Sequence, residues 1–239
     1  MKSFYLILFS IITFNFTFSQ KPEATEVWEP IPKAVQFKND IPSDAIVLFD
    51  GESLEHWTNE DGTAVQWLIT NEGALQVKPG SGSIWTKSKF GDCQFHIEWR
   101  SPQIVESEGQ GRGNSGLFFQ KRYEVQILDS YQNRTYSNGQ AGSIYKQHIP
   151  LVNAMKPVAE WETYDVIFTA PRFNEQGARI KEGSITVLHN GVLIQNHVPI
   201  YGTTEYIGPP KNLPHKEDAI MLQDHGNLVE FRNIWIRKL

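Results

Sequence analysis

One cysteine, Cys93, stands in 239 residues. A lone thiol excludes an intramolecular disulfide and any zinc site built on cysteine thiolates. Runs of basic residues are missing too. The formal charge is −5 and the isoelectric point is near 5.8, which argues against nucleic acid as a partner. After residue 19 no apolar run approaches the length of a membrane span. No window carries a convincing 3.6-residue period, so helices are not expected to form the frame. Three catalytic signatures are also absent: Gly-x-x-x-x-Gly-Lys-Ser/Thr, His-Glu-x-x-His and Gly-x-Ser-x-Gly. Their absence removes the usual phosphate loop, zincin helix and nucleophile elbow.

What is present begins with a targeting segment at residues 1–19. Lys2 gives a positive start, an apolar run follows to Phe18, and polar Gln20 and Lys21 come after Ser19. This is the pattern of an export signal, with no cysteine at its end to carry a lipid. A periplasmic or secreted location is expected, without a transmembrane anchor. Residues 20–44 hold Pro22, Pro30, Pro32 and Pro42 among charges and read as an extended leader, with Trp28 and Ile31 as the groups to tuck into a groove. Residues 45–239 read as one domain, long enough to bury a substantial core.

Aromatic residues make up 12% of the chain, including seven Trp and eight Tyr; their flat apolar faces and polar tips suit both β-sandwich cores and sugar rings. Alternation is clean at 92–100, with Cys93, Phe95, Ile97 and Trp99 on one face, and at 161–169, with Tyr164, Val166 and Phe168 on one face. Asn190-Gly191 joins 184–189 to 192–198 with the strongest turn signal in the chain, and Asn71-Glu72-Gly73 marks another hairpin. Roughly a dozen strands at close spacing predict an all-β sandwich of jelly-roll type in a single domain. The stretch 130–160 lacks regular structure; its length marks it as functional, and its aromatic residues mark it as ordered.

The most informative run is 113–129, GNSGLFFQKRYEVQILD. It predicts strands at 117–119 and 123–128 across the turn Gln120-Lys121-Arg122. Tyr123, Val125 and Ile127 would face one way, Glu124 and Gln126 the other. Asp129 joins that polar row only if a bulge re-aims it. A strand with one solvated face is the plain alternative. Ser115, in Asn114-Ser115-Gly116, reads as turn chemistry more than as a nucleophile.

Glu124-x-Gln126-x-x-Asp129 resembles the Glu-x-Asp-x-x-Glu of laminarinase- and lichenase-type endoglucanases, with two of three residues changed. A retaining glycosidase needs two carboxyl groups about 5–5.5 Å apart, and Gln126 carries no titratable proton. A more extensive resemblance runs through LFDGESLEHW (48–57), GSIWTKSKFGDCQFHIEWR (82–100), GNSGLFFQKRYEVQILDS (113–130), YSNGQAGSIYKQHIPLVNAMKP (136–157), EWETYDVIFTAPRF (160–173), VLHNGVLIQNHV (187–198) and LQDHGNLVEFRNIWIR (222–237). These segments resemble the 3-keto-disaccharide hydrolase domain family, exported bacterial proteins with a concanavalin-like jelly roll.

That resemblance implies cleavage of glycosides already oxidised to a ketone at carbon 3. The ketone acidifies the proton on carbon 2, so the glycosidic bond can leave by elimination, followed by addition of water; hydrolysis is the other route. The chemistry requires a base near carbon 2, a group for the enolate oxygen and an acid at the leaving oxygen. Glu124, His148 and His225 are the catalytic candidates; Arg100, Asn114, Gln126, Asp129, Gln140 and Gln223 suit an enolate or sugar hydroxyls, and Trp85 and Tyr145 suit a sugar ring. Glu124 and Asp129 with a loop carbonyl would also make an oxygen-ligand site for a divalent cation such as calcium, though no spacing specifies it. A separate sugar 3-dehydrogenase would supply the substrate, since no nucleotide-binding fingerprint is present. A non-catalytic carbohydrate-binding sandwich and an ordinary endoglucanase are the competing expectations.

Overall fold

The computed structural model describes residues 20–239; the segment read as an export signal lies outside them. The chain divides into two compact units, 1–35 and 36–239. In the first, the described part holds one 3₁₀ turn, Pro22–Thr25, and Trp28 and Ile31 stand exposed. The second starts earlier than residue 45. Phe37–Lys38 pairs with Ile41–Pro42, and Asp44 receives a two-pronged ion pair from Arg237 at 2.7 and 2.8 Å. No helix among the described residues is long and apolar enough to cross a membrane.

The second unit is an all-β jelly-roll sandwich of two antiparallel sheets. The larger runs, in spatial order, Val192–Ile200, Gly183–His189, Glu162–Thr169, Cys93–Arg100, Glu230–Lys238, Leu75–Gln76, Leu68–Ile69, with Ile46–Phe49 also paired to Glu230–Lys238. The smaller runs Tyr123–Ile127, Ser115–Phe119, Met221–Leu222, Ile84–Thr86, Trp57–Thr58. Alternation in sequence becomes alternation in space. In Cys93–Arg100 every second side chain, from Cys93 to Trp99, is buried, and the residues between them are only partly so. Asn190 and Gly191 take φ of 53° and 76°, the left-handed pair that a two-residue hairpin turn demands and that Asn and Gly tolerate best.

Aromatic rings lock the sheets together. Phe119, from the smaller sheet, stacks on Phe168 at 4.8 Å and meets the edge of Phe95 at 5.7 Å, both from the larger. Each such fully buried ring contributes on the order of 1.5–3 kcal/mol. The irregular stretch 130–160 is ordered, as expected, for two reasons. Part of it runs beside Tyr123–Ile127 as an added edge: Gln126 N–H donates to Ser143 O at 3.0 Å, Gly142 N–H to Gln126 O at 2.8 Å, and Tyr145 N–H to Glu124 O at 3.2 Å. Its far end is held by Glu162, which is buried and accepts from Lys156 N–H at 2.9 Å while pairing with His189 at 2.9 Å.

Candidate functional site

The hairpin 115–127 sets the site. Gln120 and Lys121 adopt φ of 51° and 60°, so the chain reverses tightly and the two strands pair in uniform register. Glu124 lies opposite Phe118 and Gln126 opposite Gly116. Tyr123, Val125 and Ile127 enter the core. Glu124 and Gln126 therefore point out of the sandwich, yet they are not solvated: Glu124 is 5% exposed and Gln126 1%. Loops roof them. The result is a hollow of about 520 Å³, within the range of small-molecule sites, lined by Glu124, Gln126, Asn114, Tyr145, Gln223 and His225 from the sequence-predicted set.

Gln110, Phe118, Tyr136, Lys146, Thr204 and Tyr206 complete the lining. Sequence reasoning missed these six. Phe118 was within reach of it, because the turn length fixes which residue faces Glu124. Tyr136 and Lys146 belong to the stretch flagged as functional, but nothing in its sequence says which side chains turn inward. Thr204 and Tyr206 come from a loop with no local signal at all.

Electrostatically, Glu124 dominates. Among the described residues none donates a hydrogen bond or forms an ion pair with its carboxyl, and burial pushes its pKa up to about 8. A carboxylic acid in that position holds its proton at neutral pH and is well matched to proton transfer. Around it stand amides. Gln126 donates from Nε2 to Gln110 Oε1 at 3.0 Å, while its Oε1 is buried without any partner. Such an acceptor is costly unless something donates to it. Asn114 Nδ2 donates to Gln110 O at 2.6 Å. On the opposite wall the phenols of Tyr136 and Tyr145 share a hydrogen bond of 2.6 Å. Burial, and then that bond, pushes the Tyr145 phenol upward, so it is a neutral donor. Lys146 bonds to the Tyr206 carbonyl, and its ammonium lies 4.5 Å from the Tyr206 ring centroid.

Gly116 forms the floor. A Cβ there would lie 2.7 Å from Phe118 Cε2, 2.8 Å from Glu124 Oε1 and 3.3 Å from Gln223 Oε1, so only the missing side chain lets these three groups converge.

Five predicted residues lie elsewhere. His148 is turned toward the larger sheet: its Nε2 donates to Pro199 O at 2.6 Å and its ring packs 4.8 Å from Tyr201. Lys146, with φ of 58°, reverses the chain between Tyr145 and His148 and separates them. Asp129 is not re-aimed by a bulge, since Tyr123–Ile127 ends before it. It accepts from Arg112 Nε at 2.7 Å and from Tyr131 N–H at 3.1 Å, and lines a second hollow of about 450 Å³. Arg100 faces that same second hollow from the larger sheet, bound to Glu230 and, at 2.9 Å, to Glu72. Gln140 closes a turn through its carbonyl, which accepts from Ser143 N–H at 3.0 Å, and its side chain is not part of the lining. Trp85 lies on the same sheet face as Glu124 but beyond the hollow. Glu124 and Asp129 consequently do not converge on one cation, and among the described residues no three His, Cys, Asp or Glu side chains cluster as metal ligands.

Known structures match the chain over most of its length. A structure of a candidate glycosyl hydrolase from Parabacteroides distasonis ATCC 8503 is 49% identical, covering 92% of this chain and 97% of its own, with a TM-score of 0.88. Two further structures of candidate glycosyl hydrolases from the same organism, at 20% and 23% identity and TM-scores of 0.59 and 0.56, share the fold, each over 82% of this chain and over 94% and 99% of its own. No curated protein matches the chain. The model of the 3-keto-alpha-glucoside-1,2-lyase-like domain covers residues 44–237, and the chain belongs to that family of carbohydrate-active proteins.

Proposed function

We propose that the protein cleaves glycosides carrying a ketone at carbon 3 by elimination across carbons 1 and 2, with the reacting ring held in the Glu124 hollow. The carrying observation is the buried, unpartnered carboxyl of Glu124, held protonated at neutral pH, among amides suited to sugar hydroxyls. In the first step the C2–H bond breaks, and its electrons form an enolate with the ketone at carbon 3. Reclosing the ketone then forms the C1–C2 double bond and expels the glycosidic oxygen, which takes a proton. Water can add across that double bond afterwards.

His225, an exposed residue of the lining, would act as the base for the carbon-2 proton. Glu124 would act as the acid for the leaving oxygen. The Lys146 ammonium, the Tyr145 phenol and the amides supply donors for the enolate oxygen, whose stabilisation is the largest contribution such a site makes. The unpaired Gln126 Oε1 would accept from a ring hydroxyl. The family description supports a 1,2-elimination, and the apolar segment at 1–19 supports an exported enzyme acting after a sugar 3-dehydrogenase. Among the described residues Glu124 is the sole carboxylic residue of the lining, which does not favour chemistry by a nucleophile–acid carboxylate pair.

The test is incubation with a 3-keto-α-glucoside and with its unoxidised parent, following release of the aglycone and the appearance of an unsaturated 3-keto sugar. Turnover of the oxidised substrate alone is expected. Activity on unoxidised β-glucan with retained configuration, or binding without turnover, would overturn the reading in favour of an endoglucanase or a binding module respectively.

A further inference from the structure

The register of the smaller sheet carries Glu124 into a longer row. Glu124 is paired with Phe118, Phe118 with Met221, Met221 with Trp85, and Trp85 with Thr58. Paired residues in a sheet project to the same side. Their sequence neighbours Leu117, Phe119, Ile220, Leu222, Ile84 and Trp57 enter the core, so the row occupies the outer face. Its members are Phe118, which lines the hollow, and the half-buried Met221 and Trp85. Three interstrand steps place Trp85 roughly 14 Å from Glu124. Beside this apolar row runs a polar one. Gln126 is paired with Gly116, and Gln223 N–H donates to Gly116 O at 3.0 Å.

The outer face is thus an apolar strip flanked by amides, leading out of the hollow. A pyranose ring presents the matching surfaces, an apolar C–H face and a rim of hydroxyls. We infer that Trp85, Met221 and the outer edge of Phe118 form a second sugar subsite, which holds the leaving half of a disaccharide-sized substrate while its oxidised ring sits at Glu124. Lys121, whose ammonium lies 5.8 Å from the Trp85 ring centroid, would swing aside and bond a hydroxyl of that second ring. The inference rests on the 3-keto-glycoside reading above and adds which residues would hold the leaving group.

The experiment compares kcat/KM for a 3-keto disaccharide and for 3-keto methyl α-glucoside, whose leaving group is too small to reach Trp85. In the unaltered protein the disaccharide is expected to be favoured. Trp85→Ala should lower the disaccharide-to-methyl ratio about tenfold, the size of one lost ring contact. Trp85→Phe, which keeps a flat ring, should lower it less, and Met221→Ser offers an independent reading from the middle of the row. A ratio that stays put in all three variants overturns the subsite alone. Turnover of neither substrate by the unaltered protein overturns the parent reading, and the subsite with it.

Discussion

Glu124 is the residue on which most turns, because a carboxyl buried without a partner is expensive for the fold. Its folded pKa, about 8, lies above the ordinary 4.5, so the folded state binds this proton more tightly than the unfolded state does. Stability from this group is complete below pH 4.5, declines as pH rises, and is gone above about pH 8. Glu124→Gln keeps the shape and removes the titration. Its melting temperature, followed against pH, should therefore lack the decline that the unaltered protein shows across that window. In the same variant kcat/KM should fall about 10²- to 10⁴-fold, the range of general acid–base catalysis. The alkaline fall in rate near pH 8 should disappear; its survival would show that another group is the acid. Gly116 offers a second test. Its φ is not left-handed, so alanine suits the backbone, but the new methyl would collide with Phe118 and Glu124. Gly116→Ala should cost about 1–3 kcal/mol by overpacking and at least about tenfold in kcat/KM, equivalent to 1.4 kcal/mol in the transition state; steady-state kinetics alongside urea unfolding would separate the two.

At the scale of elements, the two hollows use similar residues for different ends. Asp129 follows Glu124 by five positions, yet the end of the strand at Ile127 turns it toward Arg112. The pair is 1% exposed on the Asp129 side and 14% on the Arg112 side, and it ties the segment before the hairpin to the segment after it. The backbone repeats the tie, with Asp129 N–H donating to Arg112 O at 3.1 Å. Asp129→Asn should therefore destabilise by roughly 3 kcal/mol in urea unfolding, since it removes the countercharge from a guanidinium that is only 14% exposed, while the pH profile of catalysis keeps its shape. A displaced alkaline limb would instead bring Asp129 into the chemistry. The edge formed by 142–145 matters for another reason. Its hydrogen bonds to Glu124 and Gln126 place Tyr145 beside the carboxyl, and such placement by main-chain pairing is more exact than a free loop would give.

For the molecule as a whole, the sandwich buries Cys93 completely, and burial pushes its thiol well above the ordinary range. A thiol reagent should leave the native protein unmodified and label one site per chain once it unfolds, at the rate of global unfolding. Labelling faster than unfolding would mean that the strand Cys93–Arg100, in the middle of the larger sheet, opens locally. The strand that carries Glu124 is tied to this sheet, because Tyr164 reaches across the core to donate its hydroxyl to Gln126 O at 2.9 Å.

Periodicity in the sequence was enough for the sandwich, the Asn190-Gly191 hairpin and the two faces of Tyr123–Ile127, because strand side chains alternate by covalent geometry alone. It also put Glu124 and Gln126 on one polar face, whereas Asn114 and Gln223 were expected only from the chemistry that the family resemblance implies. Periodicity could not say that the outer face of that strand is roofed, for the roof is made by residues 21 and 80 positions beyond Glu124, Tyr145 and Thr204 among them. Nor could it sort the histidines. His148 and His225 look equally eligible in a chain of letters, and only the reversal at Lys146 and the course of the loops decide that one binds a backbone carbonyl while the other faces the hollow. Local spacing determines which way a side chain points from its own strand; what it then meets depends on contacts distant in sequence, which form only when the two sheets close.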